Sequence, residues 1–221
     1  MTTIDVPRRL AAEAIGTALL LAAVVGSGIM ADKLSGGNIG LALLCNAVAT
    51  GAALYVLITI FGPLSGAHFN PAVSAVMVAR GDISAADAGL YVVAQVLGGI
   101  AGVAAAHAMF DQSLLQVSTT ARTGSGQWIA EFIAAFGLVM TILGTVRFRP
   151  DAVPTAVALY IVSAYWFTAS TSFANPAVTI ARALTNTFAG IAPGDVVAFI
   201  IAQMAGAFAA YALGTWLFAK R

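Results

Sequence analysis

The chain has 221 residues, of which 60% are hydrophobic and only 9% charged, against roughly a quarter charged in an ordinary soluble domain. With a mean hydropathy of +0.94 and a formal net charge of +1, it reads as an integral membrane protein, without the basic face that nucleic acid requires. Cys45 is the single cysteine, which excludes an intrachain disulfide framework and a thiolate metal cluster.

At about 20 apolar residues per spanning helix, the hydrophobic runs predict spans near 8–31, 38–61, 86–109, 127–147, 152–170 and 194–218. The first contains Glu13 and is long enough to cross a bilayer, so it reads as a retained helix and not a cleaved signal peptide. Two apolar segments are left over, approximately 70–80 and 175–187. The first opens with Asn70-Pro71-Ala72 and the second with Asn175-Pro176-Ala177. Asparagine is a good N-cap and proline a good first helical residue, so each tripeptide predicts a helix start inside an apolar region. At ~1.5 Å per residue these segments reach about half of a ~30 Å hydrocarbon core, as re-entrant half-helices would. Their approaches, 62–69 and 168–174, are rich in glycine or in serine and threonine. Non-helical backbone at membrane depth persists only when buried in protein or lining a wet cavity, so the two segments together imply a cavity.

The halves repeat. AEAIGTALLL around Glu13 answers AEFIAAFGLV around Glu131, and YVVAQVLGGIAG with Gln95 answers FIIAQMAGAFAA with Gln203. Residues 1–221 therefore form one transmembrane domain, with a first repeat over about 8–110 and a second over about 127–218. Three spans per half place the second copy upside down, an inverted-repeat plan in which solutes meet the protein at the repeat interface. The expected fold class is an all-α membrane protein of six transmembrane helices and two half-helices. With the N-terminus inside, the cytoplasmic segments carry Arg8, Arg9, Arg80, Arg147, Arg149, Lys220 and Arg221, and the outside carries Lys33, Arg122 and Arg182. That asymmetry puts both termini in the cytoplasm, by the excess of basic residues on the inner side, and a bacterial plasma membrane is the expected location.

Opposed half-helices would bring two positive dipole ends to the bilayer midplane, beside the amide donors of Asn70 and Asn175. Cations would meet a barrier, while a neutral solute could exchange water for these amides. A single Asn-Pro pair reads more simply as a helix cap; two copies in inverted repeats favour a pore. Glu13 and Glu131 lie well inside predicted spans. They read either as proton-coupling groups or, given their symmetric placement, as supports for freed backbone near the half-helices. His68, two residues before Asn70, either lines or gates the pore or packs beside the motif. His107 reads as a satisfied helix-end residue. Neither a catalytic residue, a metal site nor a cofactor is expected. Tyr91, Tyr165, Trp128, Trp166 and Trp216 fall toward span ends, where interfacial anchoring accounts for them. Phe69 and Phe173 precede the two motifs and either pack the half-helix entrances, the first reading, or line the pore.

The paired strings SGAHFNPAVS and FANPAV, the glutamates of spans one and four and the glutamines of spans three and six resemble the major intrinsic protein superfamily, the aquaporins and glycerol facilitators. The resemblance covers almost the whole chain. It implies six tilted helices with two half-helices, one pore per protomer, a homotetramer and passive flux. One position departs from the family pattern: Val178 follows the second Asn-Pro-Ala, where water-selective members and glycerol facilitators usually carry arginine. By the same resemblance the other ring residues fall at Thr50, Ser163 and Ser172, which implies a wide, uncharged ring of hydroxyls with one aliphatic face. Arg182 lies four residues past Val178 on the same helix face. It either lines the outer vestibule or hydrogen-bonds the last carbonyls of the half-helix or a loop. NPAVTIARA resembles a bacterial branch of arsenical-conducting aquaglyceroporins. The implied solutes are neutral and polyhydroxylated: arsenite, antimonite, methylated arsenicals and glycerol-like molecules, with water as a further candidate. A secondary active transporter of a small polar solute is the alternative that also fits inverted repeats and broken helices.

Overall fold

A computed structural model describes residues 4–219. Lys220 and Arg221, which contribute to the predicted charge asymmetry, lie outside the described residues. Among the described residues eight α-helices follow one another: α1 (Val6–Leu34), α2 (Ile39–Ser65), α3 (Pro71–Arg80), α4 (Ala85–Met109), α5 (Ser125–Phe148), α6 (Val153–Phe167), α7 (Pro176–Arg182) and α8 (Pro193–Leu217). Helices α1, α2, α4, α5 and α8 are each long and apolar enough to cross a membrane. Helix α6 has 15 residues and continues from a 3₁₀ turn over Pro150–Ala152. It ends where Thr168 turns extended, short of the predicted boundary at 170.

Large apolar side chains point outward along these helices, among them Leu19, Val48, Leu97, Ile129, Leu159 and Ile201, each at least half exposed. A water-soluble protein rarely presents so continuous an apolar surface; in lipid it is the solvated face. Inside, helix contact rests on small residues. Gly98 and Gly102, one turn apart on α4, lie against the backbones of Ala14 and Ala18 on α1, where a Cβ would strike the facing carbonyl. Gly206 of α8 meets the Phe132 backbone of α5 in the same way. Without a hydrophobic force between helices in lipid, such backbone approach supplies the van der Waals contact that holds them.

The halves pack alike. Helix α1 lies against α2 and α4, and α5 lies against α6 and α8. Helices α3 and α7 lead away from each other. The C-terminal end of α3 is beside that of α8, where Tyr211 donates to the Ala79 carbonyl at 2.9 Å. Just past the C-terminal end of α7, Thr185 meets His107, near the end of α4, at 2.8 Å. Helix α3 matches the predicted 70–80 segment, but α7 has seven residues and stops at Arg182, well before the predicted 187. Past Arg182 the chain is drawn into the 110–124 loop: Ser118 donates to the Ala183 carbonyl at 3.0 Å and Ala192 to the Thr120 carbonyl at 2.7 Å. Those non-local bonds replace the helical ones that would have continued α7.

Candidate functional site

The two Asn-Pro-Ala segments meet. Asn70 caps α3 by accepting from the Ala72 N–H at 2.9 Å, and Asn175 caps α7 by accepting from Ala177 and Val178 at 3.0 and 3.2 Å. Each side-chain amide then crosses to the other segment. Asn70 Nδ2 donates to the Ala174 carbonyl at 2.8 Å, and Asn175 Nδ2 donates to the Phe69 carbonyl at 2.7 Å. The asparagines thus fasten the half-helices to one another, each with one amide proton left over.

The segments that lead in are strained in matched places. Ala67 and Phe69 have φ of 49°, and Ser172 and Ala174 have φ of 52° and 49°, a region costly for residues with a Cβ. Two buried glutamates hold them. Glu13 accepts from the His68 and Phe69 N–H groups at 2.9 and 2.7 Å, from Ser65 Oγ at 2.7 Å and from Gln95 Nε2 at 2.8 Å. Glu131 accepts from the Phe173 and Ala174 N–H groups at 2.9 and 2.8 Å and from Gln203 Nε2 at 2.5 Å. Every partner donates, the arrangement an ionised carboxylate needs when removed from water. Gln95 also reaches Ser74 on α3, and Gln203 reaches Thr179 on α7, so each glutamine ties its half-helix to its glutamate. Of the two readings of these carboxylates, hydrogen-bonded support is the one the contacts favour.

A cavity of about 410 Å³ runs past the junction and is lined by both motif asparagines. At one end it is bounded by Asp82, Ile83, Val146 and Val153, and at the other by Tyr165, Val178 and Arg182. Its lining combines aliphatic side chains, Leu20, Val24, Leu54, Leu138 and Ile161, with the polar groups of His68, Asn70, Ser172 and Asn175 and the strained backbone. A hydroxylated solute could therefore hydrogen-bond to the polar groups while its carbon or heavier core meets the aliphatic ones.

Thr50, Ser172 and Val178 line this cavity, whereas Ser163 does not. Ser163 is exposed on the outer face of α6 and donates to its own helix, to the Tyr160 carbonyl at 2.7 Å. Its expected place is taken by Tyr165, two positions later, whose hydroxyl lies 3.2 Å from Thr50 Oγ1. Two positions is about half a turn of helix, enough to carry a side chain from the lipid face to the cavity. From α6 the cavity is therefore lined by an aromatic residue, where the serine hydroxyl of Ser163 was expected. Tyr165 and Tyr91 are both buried, so neither is an interfacial anchor; Tyr91 donates to the Ser65 carbonyl at 2.9 Å. Trp128, Trp166 and Trp216 are exposed. The signal for Tyr165 was available as a phenol in an apolar span, but its helical phase depends on where α6 stops.

Arg182 is buried. It lines the cavity, and its Nε donates to the Ala189 carbonyl in the loop after α7, not to a carbonyl of the half-helix itself. Its guanidinium stacks 3.4 Å from the ring centre of Phe173, which Arg122 covers at 4.9 Å. Arg122 is fixed by the Gly190 and Ser170 carbonyls at 2.8 and 3.1 Å. His68 lines the cavity with Nδ1 3.0 Å from Ser74 Oγ and its ring against Tyr91. Phe69 and Phe173 pack, edge-on to Phe61 at 6.2 Å and to Phe199 at 5.3 Å, and both also line the cavity. His107 is buried, with partners at Leu114 and Thr185.

The family model described as "Major intrinsic protein" matches residues 1–165. The chain belongs to that family. It is 59% identical over 217 residues to aquaglyceroporin AqpS of Rhizobium meliloti (strain 1021), an alignment covering 98% of this chain and 93% of the relative. It is 30% identical, over 92% of this chain and 94% of the relative, to glycerol uptake facilitator protein-like 6 of Lactiplantibacillus plantarum. Among solved structures, the aquaglyceroporin from Plasmodium falciparum superimposes with a TM-score of 0.72 at 21% identity, covering 95% of each chain. That likeness concerns the fold: this family member is an all-helical integral membrane protein with the aquaporin arrangement of spans and short helices.

Proposed function

We propose that the chain is a passive channel for small, neutral, hydroxyl-rich solutes: arsenite, antimonite and methylated arsenicals, glycerol-like molecules, and water. The observation that carries the reading is a cavity passing both cross-linked asparagines, lined by hydrogen-bonding and aliphatic groups together. The similarity to an aquaglyceroporin over nearly the whole chain supports the channel, and Val178 in the position after the second motif supports a filter without the usual arginine there. Thr50, Tyr165, Ser172 and Val178 are the proposed ring, with Arg182 one turn farther out as a positive mouth and His68 on the opposite half of the path. A trigonal, fully protonated arsenite presents hydroxyls as glycerol does, so the same donors and acceptors serve both.

The basic residues further support an orientation in which Arg80 and Arg147 face the cytoplasm and Arg122 and Arg182 face outward. A homotetramer with one pore in each protomer is proposed from the family resemblance. The purified protein in liposomes tests the function. Light scattering across water, glycerol, urea, arsenite, antimonite and methylated arsenicals should give rates that follow each solute's own gradient. Dependence on an imposed proton or sodium gradient would establish the transporter alternative instead, and flux of water alone would rule out the proposed substrate class.

A further inference from the structure

A second pocket, of about 430 Å³, opens where α3, α5 and α8 end together. It lies beside the channel cavity, since Val146 lines both. Arg80 and Arg147 stand at its rim, Leu143, Val146 and Gly214 give it an apolar floor, and Phe218 closes one side. Its volume is within the ~300–1,000 Å³ of pockets that enclose whole small ligands.

The setting determines what such a pocket can take. Phe148 and Trp216 are exposed at the ends of α5 and α8, the aromatic signature of the layer where lipid headgroups lie. Arg147 is held by a hydrogen bond from Nε to the Phe218 carbonyl at 3.1 Å and by stacking on Phe148 at 5.4 Å. Among the described residues its terminal amino groups have no carboxylate partner. Arg80 is paired with Asp82 at 2.8 Å through Nε. Tyr211 and Thr215, also in the lining, spend their hydroxyl protons on the Ala79 and Tyr211 carbonyls, so the donors free for a ligand are the guanidinium groups. Paired guanidinium groups over an apolar floor match a phosphate carrying an acyl chain better than they match a free ion.

We propose that this pocket binds the phosphate of an anionic glycerophospholipid, with Arg147 as the main anchor and Arg80 as the second, and with the acyl chain leaving along the exposed apolar face of α8. The site does not depend on which solute the channel conducts.

Native mass spectrometry of the purified full chain, titrated with phosphatidylglycerol and with phosphatidylcholine, tests it. Wild type should retain phosphatidylglycerol in preference to phosphatidylcholine, and R147Q and R80Q should each lower that preference about fivefold, the effect of about one basic residue at a membrane surface. R149Q, which removes an exposed arginine paired with Asp151 on the same face but outside the pocket, should leave it unchanged. T215W fills the pocket without removing charge and should also release the lipid, which guards against misfolding in the arginine variants. Absence of a preference in wild type, an equal loss in R149Q, or retention in T215W would overturn the proposal. Displacement of phosphatidylglycerol by inorganic phosphate alone would assign the pocket to a free anion and overturn the lipid assignment.

Discussion

At the scale of single residues, two glutamates and one valine carry most of the consequence. Glu131 accepts from three donors and Glu13 from four, so an amide at either position must turn its own N–H₂ toward a donor and give up bonds. E13Q and E131Q are expected to destabilise by about 1–3 kcal/mol, the cost of leaving a buried donor without its acceptor. Thermal unfolding in detergent should register this as a lowered midpoint in both variants; an unchanged midpoint would return these carboxylates to a role other than support. Val178 lines the cavity one turn before Arg182. V178R would bring a second guanidinium into the proposed ring of Thr50, Tyr165 and Ser172, and glycerol and arsenite permeability should fall by about tenfold or more, the discrimination a misfitting group gives a close site. Water flux should fall less, because water needs the smallest opening. R182Q leaves the ring's width intact, so it should alter the entry of polar solutes more than the size limit, which a comparison of glycerol with larger polyols would read.

Secondary-structure elements show where local signals suffice and where they fail. The capping of α3 and α7 by Asn70 and Asn175 is local chemistry, and both helix starts fall where the Asn-Pro pairs put them. The end of α7 is decided by the 110–124 loop, and no pattern near residue 183 announces that partner. Ser163 failed for a related reason: counting back from the second motif passes through residues 168–174, whose strained turns set the phase of α6 only after Glu131 has bound them. The α1–α4 crossing offers a test at this scale. G102A would place a methyl group against the Ala18 carbonyl and should cost about 1–3 kcal/mol through overpacking. G126A, in the first turn of α5 where nothing lies near the added carbon, should be neutral in the same unfolding measurement.

For the whole molecule, the inverted repeat explains why one chain builds two equivalent supports around one path. Each half supplies a glutamate, a glutamine, a strained loop and a short helix, and neither half alone encloses the cavity. If conduction is passive, flux in liposomes should be equal for solute gradients of either direction and indifferent to membrane potential, which a valinomycin-imposed potential with glycerol as solute can check. By itself the sequence determined the membrane environment, the two half-helix starts and the matched placement of Glu13 and Glu131, because apolar run length, Asn-Pro capping and internal repetition are properties of neighbouring or matching residues. Only the tertiary structure decided that Tyr165 and not Ser163 faces the cavity, that Arg182 turns its guanidinium onto Phe173, and that Arg80 and Arg147 meet at a pocket. Those facts depend on helical phase and on contacts between segments far apart in the chain, and a side chain's direction is fixed only when the elements around it have packed.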